Sequence, residues 1–282
     1  MNAPARGELT RIALSLTIVC TVGAAVLGGI YVATERYRLA AAKAGERAAV
    51  ADMLGLGPAD RVLVVRQDFA PAERRVHYRA TALEGGPTTH LEFALDGALA
   101  SREVEPAVTE GAPAEAPDRS LVPLGRLFVG LRDGRPFSFA LEGEAAGYKT
   151  RIRFLVALDD SFVVRGVRVI EHAEDPGLGA EIATSWFGGQ FLGRDAAGLE
   201  RVDVTKDPMP EDWAAALAQL ERVPRAEWVR THGDLVARER TQPIHAVTGA
   251  TISSRALTNG VRATVSHFRR RWALLGPNLG GV

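Results

Sequence analysis

The sequence predicts an α+β protein with one N-terminal transmembrane helix, followed by a soluble domain in which helices pack on an antiparallel sheet. Three patterns predict this class: a long uncharged run near the N-terminus, alternating apolar and polar residues from residue 61 onward, and a long amphipathic stretch near the C-terminus. Hydrophobic residues make up 46% of the 282-residue chain, which is enough for a packed core.

Charge and cysteine usage exclude several kinds of protein. The chain has 34 basic and 34 acidic side chains, and this balance argues against a nucleic-acid-binding protein, which usually has a basic excess. Cys20 is the single cysteine, so neither a disulfide framework nor a Cys-based zinc site can form within one chain.

The uncharged run covers residues 12–33, between a short tail (1–11) and a predicted helical stalk (34–60). At helical rise its 22 residues span roughly 33 Å, enough to cross a bilayer. A cleaved secretory signal is the competing interpretation, but the run is long for one and no small-x-small cleavage site follows it. Basic residues flank both ends almost evenly, so charge leaves the orientation open.

The remaining residues, 61–282, form the predicted soluble domain. The stalk is rich in strong helix formers and is predicted to end at Gly57 and Pro58. Period-two alternation predicts strands over 61–69, 74–83 and 89–100, and a hairpin over 151–172 that turns at 159–161. Further predictions are a loop insertion near 105–118, a turn at 174–179, a helix over 180–191 and a surface insertion near 207–242.

The last predicted helix has the clearest pattern. An apolar stripe recurs every three or four residues, and polar residues fall on the opposite side, so the helix should pack on the sheet. The stripe consists of Leu257, Val261, Val265, Phe268, Trp272 and Leu275. The helix is predicted to begin between Thr251 and Ser254.

Four hydroxyl residues crowd this helix start: Thr248, Thr251, Ser253 and Ser254, with Gly249 and Ala250 between the first two. The first N–H groups of a helix lack intrahelical acceptors and favour anions. The hydroxyls could therefore cap the helix, bind a free phosphate or carry a covalent one. Physical chemistry alone favours the cap, because Ser and Thr are common at helix starts.

The stretch Thr248-Gly249-Ala250-Thr251 resembles the attachment motif of the FMN-binding domain family. The resemblance implies that Thr251 is joined to the phosphate of FMN by a phosphoester bond, installed by a flavin transferase that uses FAD. Thr248, Gly249, Ala250, Ser253 and Ser254 are then cofactor-binding residues around it. The family usually has Asp six positions before the attachment Thr, where this chain has His245. With a transferase from a family member that has the usual pattern, His245→Asp is expected to leave attachment intact or improve it.

A second stretch, residues 147–182, resembles the G subunits of Rnf-type ion-translocating electron-transport complexes. The matching residues are Gly147, Tyr148, Glu171, His172, Glu174, Pro176, Gly177, Leu178 and Gly179, whereas Asp175 and Lys149-Thr150 depart from the pattern. The resemblance implies that His172, Glu174, Leu178 and Gly179 belong to the cofactor site. No metal site is expected, because His172 has no second ligand at suitable spacing.

The resemblance implies a flavoprotein that transfers electrons inside a membrane complex and has no turnover or catalytic residues of its own. It implies a single-pass protein of the bacterial inner membrane with its soluble domain on the periplasmic side. Other membrane subunits, membrane lipid and the flavin transferase are its expected partners. Two alternatives stay open: the related C subunit of a sodium-translocating NADH:quinone oxidoreductase, and a non-redox membrane-anchored scaffold in which the motif only caps a helix.

Overall fold

The computed structural model describes residues 6–107 and 120–279. The chain divides into two compact units, residues 1–50 and 51–282. Helix α1 (Arg6–Leu54) begins in the first unit, and within the described residues its segment Leu14–Tyr31 is the one helical stretch long and apolar enough to cross a membrane. The helix ends at Leu54, before the predicted end at Gly57 and Pro58, because Gly55 takes a positive φ of 66°.

The second unit is built on one eight-stranded sheet in which all neighbouring strands are antiparallel. The order across the sheet is β4-β3-β2-β1-β5-β6-β7-β8, so two meanders meet where β1 pairs with β5. The strands are β1 Arg61–Ala70, β2 Arg75–Ala82, β3 Thr88–Ala94, β4 Leu99–Glu105, β5 Val122–Arg132, β6 Arg135–Ala146, β7 Arg151–Asp159 and β8 Val164–Glu171.

The strand predictions need two corrections. The segment predicted as one strand over 89–100 is the hairpin β3–β4, which turns at Asp96 and Gly97, where Gly97 has a φ of 90°. Strands β5 and β6 were not predicted, although Asp133 and Gly134 connect them with positive φ at both positions, as a type I′ hairpin turn requires. The hairpin predicted over 151–172 is confirmed as β7 and β8. Residues 108–119, most of the predicted 105–118 loop, lie outside the described residues.

Short elements follow β8 and lead to the last helix. They are a 3₁₀ turn Gly179–Ala183, α2 Ser185–Gly189, α3 Ala196–Arg201, β9 Val204–Thr205, α4 Glu211–Leu217, α5 Arg225–Glu239, β10 Ile244–His245, α6 Thr251–Leu275 and a 3₁₀ turn Gly276–Asn278. The single helix predicted over 180–191 is wrong, because extended backbone at Thr184 breaks it. The Thr184 hydroxyl donates to the Glu181 carbonyl, 2.5 Å away, and so occupies a backbone acceptor of the preceding turn.

Helix α6 packs on the sheet as its stripe predicts. Leu257, Val261, Val265 and Phe268 are buried in the main core. The helix comes very close to the sheet at Gly260, where an added Cβ would lie 2.9 Å from the Cβ of Ala145. This packing holds the N-terminus of α6 beside the turns that follow β6 and β8.

The segment 207–242, predicted as an insertion of mixed helical character, contains α4 and α5. These helices have a small core of their own around Trp213 and Trp228, joined by Ala216, Leu217 and Leu192. The indole N–H of Trp228 donates to the carbonyl of Ala216 at 2.7 Å, so the buried ring has its hydrogen bond satisfied.

Candidate functional site

A cavity of about 570 Å³ opens at the N-terminus of α6. Its volume lies within the range of about 300–1,000 Å³ that is typical of small-molecule sites. Four segments meet there: the turn after β6, the turn after β8, the residue after β9, and the loop that leads into α6. The lining residues are Tyr148, Glu174, Asp175, Leu178, Gly179, Lys206, Ala246, Val247, Thr248, Gly249, Ala250, Thr251, Ile252 and Ser253.

Two buried polar side chains hold the chain that leads to this loop. The Gln190 amide bonds the backbone of His245 in both directions, accepting from its N–H at 2.8 Å and donating to its carbonyl at 3.2 Å. The Arg194 guanidinium donates to the carbonyls of Gln190, Glu239 and Arg240. Burial lowers the pKa of Arg194 to about 10, so it stays charged at neutral pH. These bonds hold the backbone before the loop, from Glu239 to His245, in place.

The four hydroxyls at the helix start divide into two pairs. Ser254 is fully buried, accepting from the N–H of Val247 at 3.1 Å and donating to the carbonyl of Ala250 at 2.9 Å. Ser253 is also buried and donates to the Glu174 carboxylate at 2.5 Å. In contrast, the hydroxyls of Thr248 and Thr251 make no hydrogen bond to any residue that the structure describes, and both residues line the cavity.

None of these hydroxyls caps the helix. The N-cap position is occupied by Ala250, which has no capping side chain, and the first intrahelical bond runs from the N–H of Ser254 to the Ala250 carbonyl. The N–H groups of Thr251, Ile252 and Ser253 therefore lie ahead of the hydrogen-bonded turns, as the first N–H groups of a helix do. They form an anion-binding end beside the Thr251 hydroxyl. The helix-cap interpretation of the motif is wrong.

Glu174, in the turn after β8, forms hydrogen bonds to two other segments of the cavity. Its carboxylate accepts from the Ser253 hydroxyl on α6 and from the backbone N–H of Lys149 in the turn after β6, at 3.0 Å. Burial acts to raise the pKa of Glu174, but hydrogen bonds from Ser253 and from the backbone of residues 148–150 outweigh it and hold the pKa below its ordinary value. The carboxyl is therefore a buried anion at neutral pH.

Three residues that line the cavity have large exposed side chains. Tyr148, Leu178 and Ile252 are exposed over 66%, 47% and 59% of their surfaces. Gly249 has a φ of 78°, and an added Cβ there would lie 2.8 Å from a methyl group of Leu178. The motif loop thus approaches the turn after β8 closely, and the three exposed side chains offer apolar surface at the cavity.

Lys206 is a cavity residue that the sequence patterns did not point to. It follows β9, which pairs in parallel with β10, and the Ala246 N–H donates to the Thr205 carbonyl at 2.9 Å. Its ammonium forms no ion pair or hydrogen bond with the described residues, whereas Lys149 is paired with Asp175. Only tertiary pairing brings Lys206 to the motif, so no local signal could have identified it.

Eight of the ten site residues expected from the sequence line the cavity: Thr248, Gly249, Ala250, Thr251, Ser253, Glu174, Leu178 and Gly179. Ser254 does not, because both of its hydrogen bonds join the loop to the helix. His172 does not either; its Nδ1 accepts from the Glu174 N–H at 3.3 Å.

Residues 147–266 match the family model described as the FMN-binding domain. The match includes every residue that lines the cavity. The free N–H groups at the start of α6 and the large exposed side chains of the cavity are suited to a flat, phosphorylated ligand. This part of the chain is similar to the FMN-binding domain family, and the ligand that this similarity implies is FMN.

Two relatives are G subunits of ion-translocating complexes. The chain is 24% identical over 173 residues to the G subunit of the Na⁺-translocating ferredoxin:NAD⁺ oxidoreductase complex of Acetobacterium woodii, covering 61% of this chain and 66% of that protein. It is 44% identical over 66 residues to the G subunit of the ion-translocating oxidoreductase complex of Haemophilus influenzae, covering 23% and 32%. The chain thus spans less than two thirds of each of these relatives.

One solved structure that is similar to part of this chain is the C subunit of the Na⁺-translocating NADH-quinone reductase from Parabacteroides distasonis. The identity is 19% and the TM-score 0.35, over 51% of this chain and 61% of that one.

The apolar helix Leu14–Tyr31, together with the similarity to subunits of ion-translocating complexes, indicates membrane anchoring.

Proposed function

We propose that this protein is a membrane-anchored flavoprotein that carries FMN in a phosphoester bond to Thr251 and passes electrons within an Rnf-type ion-translocating oxidoreductase complex. One observation carries the proposal. Of the hydroxyls at the start of α6, those of Ser253 and Ser254 are used in internal hydrogen bonds, whereas Thr251 lies at the first helical position, lines the cavity and has an unused hydroxyl.

The residues present suit the cofactor. Free helix N–H groups and the ammonium of Lys206 offer donors and positive charge to a phosphate. Tyr148, Leu178 and Ile252 offer an apolar surface to the rings. When bound, FMN supplies one- and two-electron chemistry, and the contribution of the protein is to hold it in place and set its surroundings.

The attachment is a balanced group transfer. A bond forms between Thr251 Oγ1 and the phosphorus of the FMN half of FAD, the pyrophosphate bond of FAD breaks, and AMP leaves with its phosphate. The hydroxyl proton passes to a base of the flavin transferase or to solvent, and nothing is oxidised or reduced. The half-buried Thr251 lines an open cavity, which leaves its hydroxyl within reach of such an enzyme.

Anchoring and partners follow from the same proposal. The segment Leu14–Tyr31 has no acidic or basic side chain, so this helix offers no path for an ion, and ion movement belongs to partner subunits. We place the soluble domain on the periplasmic side of the bacterial inner membrane, where a covalent bond prevents loss of the cofactor by diffusion.

Mass spectrometry of the tryptic peptide 241–255 tests the attachment. Protein from cells that contain an active transferase should carry one FMN on Thr251. Thr251→Ala should abolish the modification and Thr251→Ser should retain part of it, whereas Thr248→Ala, which removes the other unused hydroxyl, should keep it. An unmodified wild-type peptide from such cells would refute the covalent link, and a modified Thr251→Ala protein would move the site elsewhere.

A second measurement separates the flavoprotein from a non-redox scaffold. Flavin fluorescence should remain in the protein band after denaturing electrophoresis, and a dark band would favour the scaffold. The subunits that copurify in mild detergent then separate an Rnf-type complex from a sodium-translocating NADH:quinone oxidoreductase.

A further inference from the structure

We propose that Lys206 is the phosphate-recognition residue of the cavity and that His245 is a positioning residue that holds it there. The proposal rests on the proposed function and adds the feature by which the site distinguishes FMN from a flavin without phosphate. Neither residue lies in the stretch Thr248–Thr251, and Lys206 is 45 positions before Thr251 in the chain.

The charges of the cavity support a role for Lys206. Three of the lining residues carry a formal charge at neutral pH: Glu174, Asp175 and Lys206. Asp175 is neutralised by Lys149, and Glu174 is a buried anion held by uncharged donors. A phosphate next to Glu174 would add a second negative charge, and the Lys206 ammonium is the cation in the lining that has no partner among the described residues.

The position of Lys206 is set by hydrogen bonds on both sides of it. On one side the Thr205 carbonyl accepts from the N–H of Ala246 at 2.9 Å. On the other side the Asp207 carbonyl lies 3.0 Å from Nδ1 of His245. A carbonyl oxygen only accepts hydrogen bonds, so Nδ1 carries the proton in this contact. The backbone at Lys206 is therefore fastened to the strand that leads into the attachment loop.

This contact gives a physical role to the residue that departs from the family pattern. An Asp carboxylate at position 245 has no proton at neutral pH and could not donate to the Asp207 carbonyl. The sequence-based expectation that His245→Asp leaves attachment intact takes no account of this bond. We expect the change to release the Asp207 side of the Lys206 backbone and to weaken phosphate recognition.

The test compares FMN with riboflavin, which lacks the phosphate. Full-length protein is made in cells without the transferase, purified in detergent and titrated with each flavin, with binding followed by flavin fluorescence. Wild type should prefer FMN, Lys206→Met should weaken FMN binding about tenfold and leave riboflavin binding unchanged, and Lys206→Arg should retain the preference. Arg255→Met is the matched control, since Arg255 is exposed, lies outside the cavity and changes the net charge equally.

A double-mutant cycle tests the positioning role. His245→Ala should reduce FMN affinity, and adding it to Lys206→Met should cause no further loss, because His245 acts through Lys206. Additive losses would overturn the positioning role. If wild type prefers FMN but Lys206→Met binds FMN with the same affinity as wild type, the recognition role of Lys206 is overturned, while the proposed flavin function stands. If wild type binds neither flavin, phosphate recognition by the cavity is overturned, and the mass spectrum of peptide 241–255 decides separately on the flavin function.

Discussion

Removing the Glu174 carboxylate should destabilise the soluble domain and disorder the start of α6. Glu174→Ala leaves two donors without their acceptor, the buried Ser253 hydroxyl and the N–H of Lys149. A buried donor left unpaired costs about 1–3 kcal/mol, and the Lys149 N–H lies in an exposed residue where water can replace part of its bond. We therefore expect a loss of about 3 kcal/mol in the free energy of unfolding.

For the unit of residues 51–282, a loss of this size lowers the melting temperature by roughly 6–12 °C. The assay is thermal unfolding of the full-length protein in detergent, followed by tryptophan fluorescence. Glu174→Gln should cost about half as much, because its amide oxygen can still accept from Lys149. The control is Glu171→Ala, which removes an exposed ion pair with Arg153 and should change stability by less than about 1 kcal/mol.

The dependence on pH provides a second check with a definite sign. The pKa of Glu174 is depressed in the folded state below its ordinary value of 4.5, so its ionised form stabilises the fold. That contribution is fully present above pH 4.5 and is lost as the pH falls through the folded pKa. The stability difference between wild type and Glu174→Gln should therefore shrink below pH 4.5. If Glu174→Ala has the same melting temperature as Glu171→Ala, the buried Glu174 carboxylate does not stabilise the domain as argued, and the prediction is refuted.

Two further predictions concern glycines. Gly249→Ala should destabilise the domain by about 1–2 kcal/mol, because the residue has a positive φ and its new Cβ would press on Leu178. Gly177 has a similar φ but open space around it, so Gly177→Ala should lose less stability in chemical denaturation. Equal losses for the two variants would contradict the contact with Leu178. In the membrane helix, Gly28→Leu combined with Gly29→Leu should reduce copurification with polytopic subunits while in-gel flavin fluorescence persists, since small residues let helices approach closely in lipid. Undiminished copurification of the double variant would argue against this face as the helix contact.

Patterns in the sequence identified the features that depend on neighbours in the chain. The uncharged N-terminal run, the hairpin β7–β8 and the stripe of α6 each follow from periodicity or from a local turn. The motif from Thr248 to Thr251 could be placed at a helix start for the same reason. Strands β5 and β6 also have a strong local turn signal, at Asp133 and Gly134, although the period-two alternation does not predict these two strands.

Only the tertiary structure showed that the hydroxyls of Ser253 and Ser254 are engaged in internal hydrogen bonds, whereas those of Thr248 and Thr251 are unused. Ser253 is occupied by Glu174, 79 positions earlier in the chain, and the strand before the loop is held by Gln190, 55 positions before His245. Lys206 reaches the cavity only because β9 pairs with β10. These partners are distant in sequence and adjacent only after folding, so no local pattern could show that the Ser253 hydroxyl is engaged or that Lys206 lines the cavity.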